Sequence, residues 1–343
     1  MRKYLIEDKK YYKANLHSHS KYSDGCLSLE ENIKDYKAKG YNIYAVTDHC
    51  YTENFHERFT SKDFVVINGY ENVIWNSEKF VEDDKLRNNL EAYHFNFLAK
   101  KPENLTMVGI NYDGYHRFFE KVLHPDNKKC EYYGGKFAEL EFSVESVNKM
   151  IELANKQGFL VQYNHPVWSL NQPKDYLGIK GLWAMEIYNS DCNLIGLNEE
   201  NPYIYDLMVR DGQDLCVTAN DDNHGTKDRF GGFTMIGANE LTYDGVISAM
   251  ERKDLYASTG PTIDYIYYEN GKFYVKCSNA VKITMLTGGR RARAAYATDN
   301  EINFAEFEDF NEPVDLKYYR FEVTDKTGKK AYTRAYSKQE IFG

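Results

Sequence analysis

The sequence predicts an α/β chain in which a large barrel of alternating strands and helices precedes a small antiparallel β domain. Three observations carry this. Apolar, strand-like runs repeatedly end in short polar clusters, segments of helical periodicity alternate with those runs, and the helical pattern stops after about residue 260. Strands alternating with helices imply a parallel sheet with right-handed crossovers. A length of 343 residues suits one large barrel plus a smaller second domain.

The first unit starts with the strand-like run Tyr12–Leu16, followed by the loop His17–Gly25. Ser28 and Glu31 then form a capping box, with Leu29, Ile33 and Tyr36 at helical spacing and Gly40 as the stop. The run Asn42–Thr47 is the next strand. A second unit runs from a helix over 144–158 into the strand 159–163, and a third from 203–212 into 214–219. Residues 53–63 and 111–140 are polar, aromatic and irregular, and read as insertions near the rim. Beyond Ser258-Thr-Gly-Pro261 come six short strand-like runs, with Asn270-Gly271 a strong hairpin signal. The expected division is a barrel over 1–260 and an antiparallel, sandwich-like β domain over 261–343.

The composition is globular, 42% hydrophobic and 28% charged, and the 30 tyrosines read as compositional bias. A net charge of -9 and the lack of a long basic stretch argue against binding a nucleic-acid duplex. The short cluster Arg290, Arg291 and Arg293 reads as a solvated loop. Six scattered cysteines without a CxxC pair fit reduced thiols in a cytosolic compartment. No apolar signal core opens the chain and no 18-residue apolar run occurs, so a soluble cytoplasmic protein without membrane partners is expected. Oligomeric state is not specified.

Six of the nine histidines carry the chemical signal. His17 and His19 share one side of an extended segment, where both imidazoles reach one ion. Asp24 follows in a turn sequence, where it also suits an Asx-turn. Asp48-His49 ends a strand, with His49 as ligand and Asp48 as the carboxylate that orients it. Glu71 follows the apolar run 65–70, and a carboxylate can bridge two cations where an imidazole cannot. His165 ends the run 159–164, and Asp222 and His224 repeat the i, i+2 spacing after another strand. His94 opens a run instead of closing one. Parallel barrels place functional residues at the carboxyl ends of their strands. Imidazoles and carboxylates gathered on one rim make a multi-metal site. His56, His116 and His124 lie in the irregular insertions and read as bystanders.

The motifs His17-Ser-His19 with Ser23-Asp24-Gly25, Thr47-Asp-His49, Gly69-Tyr-Glu71, His94-Phe-Asn96, Asn164-His-Pro166 and Asp222-Asn-His224, in this order, resemble the PHP (polymerase and histidinol phosphatase) superfamily of metal-dependent phosphoesterases. The resemblance covers roughly residues 12–260. The junction Tyr256–Pro261 followed by a β tail is similar to a subgroup that includes carbaryl-type carbamate hydrolases. The resemblance implies a distorted (β/α)7 TIM-like barrel with two or three divalent ions at its carboxyl rim. His17, His19, Glu71 and Asp222 would hold one ion. Glu71 would bridge to a second held with His94 and His165, and Asp24, His49 and His224 would hold a third. Glu186, in the run 185–189, would serve as a hydrogen-bond acceptor. Mixed nitrogen and oxygen ligands suit zinc, manganese or iron.

The reaction expected is hydrolysis of a small phosphorylated metabolite by a hydroxide held between ions about 3.5–4 Å apart. Glu71, Asp222 and His224 would form its catalytic core. Lys227 and Arg229, just after His224, are candidate phosphate cations, Arg229 being shaped for bidentate contact. A second reading applies the same centre to a carboxylic ester, amide or carbamate. A third is a non-catalytic, metal-stabilised scaffold whose β tail binds a partner or carbohydrate.

Overall fold

The computed structural model describes residues 2–76, 90–109, 140–310 and 316–343. The expected insertion at 111–140, apart from Leu140, lies outside them, as do His116 and His124. The strands are β1 (Lys3–Ile6), β2 (Tyr12–Asn15), β3 (Ile43–Val46), β4 (Val65–Trp75), β5 (Ala92–Ala99), β6 (Phe159–Tyr163), β7 (Ala184–Asn189), β8 (Cys216–Asn220), β9 (Phe233–Ile236) and β10 (Leu255–Ser258). The C-terminal strands are β11 (Ile263–Glu269), β12 (Lys272–Ala280), β13 (Lys282–Thr287), β14 (Ala292–Tyr296), β15 (Ile302–Glu308), β16 (Tyr318–Thr324), β17 (Lys330–Thr333) and β18 (Tyr336–Ser337). The helices are α1 (Leu29–Ala38), α2 (Phe55–Phe59), α3 (Val144–Lys156), α4 (Pro173–Tyr176), α5 (Ser190–Leu194), α6 (Pro202–Arg210), α7 (Tyr243–Glu251) and α8 (Lys338–Phe342).

The fold is mixed α/β. One large sheet runs β14-β13-β16-β17-β10-β9-β2-β3-β4-β5-β6-β7-β8. Its centre departs from the expected all-parallel order. β2, β3 and β4 are parallel, β5 is antiparallel to both β4 and β6, and β6, β7 and β8 are parallel again. The switch happens within β4, whose pairing with β3 ends at Asn68 while its pairing with β5 begins at Gly69. A Cβ at Gly69 would meet the Phe97 carbonyl oxygen at 2.6 Å, so a side chain there would push the two strands apart. β2 and β8 meet beyond their ends through one parallel bridge, Ser18 to Asn223. No ladder closes the sheet into a barrel among the described residues.

The helices form where local chemistry supports them. Ser28 and Glu31 make the anticipated capping box on α1, whose buried face carries Leu29, Asn32, Ile33 and Tyr36. Ser143 caps α3, which buries Val147, Met150, Ile151 and Ala154 against Tyr93, Phe97 and Val161. The segment 53–63, expected to be irregular, contains α2, capped by Asn54.

The C-terminal strands form two facing sheets. Phe273, Val275 and Phe307 from one pack with Ile283, Met285, Phe321 and Val323 from the other. The Asn270-Gly271 hairpin joins β11 and β12 as expected. Two features differ from the sequence division. β1 pairs with β11 and so lies with the C-terminal strands, where it covers an otherwise open edge. Arg293, read as a loop residue, lies on the exposed strand β14.

The β domain grips α6. Arg320, 3% exposed, donates from Nε to Asp206 Oδ1 (2.8 Å) and from Nη2 to Oδ2 (2.7 Å), and Tyr318 donates to the same carboxylate at 2.7 Å. Removing Asp206 would leave the buried guanidinium with Glu322 as its remaining carboxylate partner, at the loss of three charge-assisted hydrogen bonds. Asp206→Ala should therefore destabilise the fold by about 2 kcal/mol. Urea unfolding monitored by circular dichroism checks this, and a loss within experimental error would show that the pair does not anchor the domain.

Candidate metal centre

The polar clusters converge because the strands end on one rim. Beyond Asn15 the chain stays extended through His17-Ser-His19, and Asp222 N donates to His17 O (3.0 Å) while His19 N donates to Asn223 O (3.1 Å). This stitching sets His17 and His19 beside Asp222. Asp222 takes a left-handed backbone (φ 54°), tolerable for Asp, which turns its carboxylate inward. His49 is bridged in parallel to Glu71.

Glu71 is the centre of the arrangement and is 1% exposed. Its Oε1 lies 3.3 Å from His17 Nε2, 3.1 Å from His94 Nδ1 and 3.4 Å from His165 Nε2. Its Oε2 lies 3.4 Å from His19 Nε2 and 3.2 Å from His49 Nδ1. Asp222 Oδ1 lies 3.0 Å from His17 Nε2 and 2.9 Å from His19 Nε2. Asp24, 30% exposed in its side chain, lies 3.5 Å from both His49 Nε2 and His224 Nε2.

Three overlapping sets of donor atoms, each within 4.8 Å of one another, could hold an ion. They are His17, His19, Glu71 and Asp222, then Glu71, His94 and His165, and then His19, Asp24, His49 and His224. The structure thus gathers all nine residues expected as ligands, and adds His19 to the third set. Two smaller sets, His17 with His165 and Glu186, and Asp191 with Asp222 and His224, overlap them.

The electrostatics follow from burial and charge. Burial pushes the His17 imidazole down, but Asp222, Glu186 and Glu71 outweigh it and hold it well above its usual value. Burial raises the Glu71 carboxyl, yet His17, His94 and His49 hold it well below the usual range. Asp222 is held low against burial chiefly by His17 and His19. Burial pushes His49 down to about 4 and also lowers His94. For His224, burial and His19 act downward, but Asp24 and Asp222 lift it to about 9.

Outer contacts lock these groups. Asn164 Nδ2 donates to Glu71 Oε1 (2.8 Å), and Asn189 Nδ2 to Asp222 Oδ2 (3.0 Å). Glu186 meets His17 Nδ1 at 3.1 Å and accepts from Asn189 and Asn220, which matches its expected acceptor role. Asp48 does not orient His49. Its carboxylate accepts from Ser20 N, Ser20 Oγ and Ser23 Oγ, tying down the loop that carries His19 and Asp24. His56 stays outside the sets, against Thr60 and the Tyr243 ring.

Arg229 is not brought into the centre. Its Nη1 donates to Asp35 of α1 at 2.7 Å and its guanidinium lies over the Phe230 ring, because Phe230 packs on Tyr36 of the same helix. Sequence reasoning passed over Asp191, 3.8 Å from His224 Nδ1. Its signal was present, since it follows a strand-like run as Glu71 does. It also passed over Trp168, whose ring stands edge-on to His94 and His165.

The residues fit divalent ions. His94 Nε2 is buried without a hydrogen-bond partner among the described residues. Asp222 Oδ1 makes no directional hydrogen bond, although two imidazole nitrogens lie within 3.0 Å. Buried polar atoms left open beside clustered imidazoles and carboxylates suit metal ligation.

Residues 15–165 match the PHP domain family model. Three solved structures are similar. A two-domain protein from Bacteroides vulgatus containing a predicted PHP-like metal-dependent phosphoesterase is 13% identical, with TM-score 0.43 and coverage of 97% of this chain and 98% of that one. A protein from Bifidobacterium adolescentis, proposed to be a metal-dependent phosphoesterase, is 14% identical with TM-score 0.37, covering 62% and 87%. An amidohydrolase from Chromobacterium violaceum, with bound sulfate and no metal, is 17% identical with TM-score 0.39, covering 63% and 88%. No curated protein matches the chain.

The raised imidazoles set a pH dependence. The carboxylates around them lift His17, His19, His165 and His224 toward the protonated form, and a cation must displace those protons. Metal affinity should therefore rise with pH from about 6.5 to about 9. Over the same window the ion-free fold should lose the stability contributed by His224, because its folded value lies above its unfolded one. Zinc titrations and thermal unfolding at both ends of this window check the pair of trends, and a flat affinity would contradict the site as drawn.

Proposed function

This chain carries a PHP domain over residues 15–165, and on that premise we propose that it is a metal-dependent phosphoesterase acting on a small phosphorylated metabolite. The observation that supports this most directly is the sharing of Glu71 between two of the donor sets, the arrangement a multi-ion hydrolytic centre requires. We read the mixed sheet as a distorted TIM-like barrel, with β10 onward leading into the β domain.

Divalent ions bound here, two or three of zinc, manganese or iron, would supply a water deprotonated at neutral pH and neutralise charge on the ester oxygens. The chain's own residues do the rest. Glu71 and Asp222 fix the spacing of the donor sets and stay ionised. Glu186, Asn164 and Asn189 hold the ligands in place through hydrogen bonds. His224 and Asp24, partly exposed, face the mouth. Lys227, exposed and without an ion pair among the described residues, replaces Arg229 as the candidate phosphate cation. It follows Gly225, whose amide is fixed with that of His224 by Asp228.

The Trp168 ring beside His94 and His165 favours a second reading, hydrolysis of a carboxylic ester, amide or carbamate. An apolar wall suits an uncharged substrate. No duplex nucleic acid is expected as partner, given the net charge of -9. No helix among the described residues is long and apolar enough to cross a membrane.

The test is turnover of chromogenic phosphate and carboxylate esters by protein stripped with a chelator and reloaded with each metal. Metal-restored phosphate hydrolysis is expected. Lys227→Ala should raise KM for phosphate esters about tenfold, the size of one charge-assisted hydrogen bond of roughly 1.5 kcal/mol. Turnover of carboxylate esters alone would select the second reading. Inactivity with every metal would leave the scaffold.

A further inference from the structure

Glu199 touches none of the nine ligands, yet it organises one wall of the centre. It is fully buried. Its Oε1 accepts from Val167 N (3.1 Å) and Asn201 Nδ2 (2.5 Å), and its Oε2 from Trp168 N (2.7 Å). A buried carboxylate that accepts from two successive backbone amides is a strong anchor. The amides belong to a tight turn that follows His165, closed by Ser169 N to His165 O (3.1 Å) and Asn171 N to Pro166 O (3.0 Å).

That turn delivers two groups to the centre. Ser169 Oγ lies 3.2 Å from His165 Nδ1, which leaves Nε2 directed at Glu71 Oε1 (3.4 Å) and Asp222 Oδ2 (3.6 Å). The Trp168 ring packs edge-on against His94 (5.1 Å between centroids) and His165 (5.2 Å). His165 itself has a positive φ of 20°, a backbone state that persists only where its surroundings hold it. The segment carrying Glu199 is held from its far side as well. Tyr332 of the β domain donates to the neighbouring Glu200, and Lys330 Nζ lies 3.3 Å from the same carboxylate.

We infer that Glu199, acting through the 166–170 turn and Ser169, is a positioning residue for the ion position formed by Glu71, His94 and His165. The inference rests on the metal-centre reading above. It gives the β domain a part in the site, since its strand β17 braces the segment on which Glu199 stands.

A merely structural role would lower thermal stability and leave ion affinity alone, so affinity is the readout. Zinc binding is measured by competition with a chromogenic chelator for the full-length chain and for Glu199→Gln and Ser169→Ala. Both variants should bind one ion about 10–100-fold more weakly, the cost typical of lost outer contacts, with the remaining stoichiometry unchanged. Unchanged affinity in both overturns the inference. Should Glu199→Gln fail to fold, Ser169→Ala decides alone, since weakened binding of one ion supports the inference and wild-type affinity overturns it. A wild-type chain that binds no zinc, manganese or iron would instead overturn the metal-centre reading, a result distinct from failure of the variants.

Discussion

The site depends on one constraint, a carboxylate held out of water among imidazoles. Glu71 is within 3.4 Å of ring nitrogens from five histidines. Burying an ionised carboxylate costs several kcal/mol unless opposite charge and hydrogen bonds compensate. Here the compensation comes from protonated imidazoles or, when they are displaced, from cations. The folded chain is thus already arranged for charge exchange at this point. The same requirement explains the asparagines around it, which donate amide hydrogens to Glu71, Asp222 and Glu186 without adding charge.

The reversal of β5 follows from the same need. Parallel strand ends bring His17, His19, His49 and His165 to the rim, and the reversed strand adds His94 to them. Running β4 past Asn68 into a hairpin with β5 places Glu71 beyond the edge of β3 and returns His94 at the start of the next strand. A residue that opens an antiparallel strand arrives on the same rim as residues that close parallel ones.

This bears on what could be read from the sequence. The capping box, the ligand clusters and the Asn270-Gly271 hairpin were legible because each is a local pattern with a local cause. The polarity of β5 was not, because an eight-residue apolar run looks the same in either direction. That His94 opens its run instead of closing it was the sign of the reversal. Arg229 and Asp48 were misassigned for a related reason. Proximity in sequence to His224 and His49 suggested contact, but Asp35 and the two serines, each at least 25 residues away, took those side chains instead. The contacts of Glu199 with the turn carry no local signal, since its two backbone partners lie 31 and 32 residues earlier.

Charge links the number of ions to the kind of substrate. Asp24, Glu71, Asp222 and Glu186 place four carboxylates at the rim. Two divalent ions would match these four in formal charge and, with Asp191 at the margin, leave no positive excess, which suits an uncharged ester or carbamate beside Trp168. Three would leave an excess of two positive charges, which Asp191 at the margin, its carboxyl raised by burial to about 6, reduces to one at neutral pH. Such a pocket favours a phosphate dianion, because attraction across a few ångströms of partly dry space is worth several kcal/mol. A third ion would depend on Asp24 and His224, the two most exposed of the nine, so its affinity should be the weakest. On the proposed function, the choice between the two bonds would therefore be set at the mouth of the site more than at Glu71.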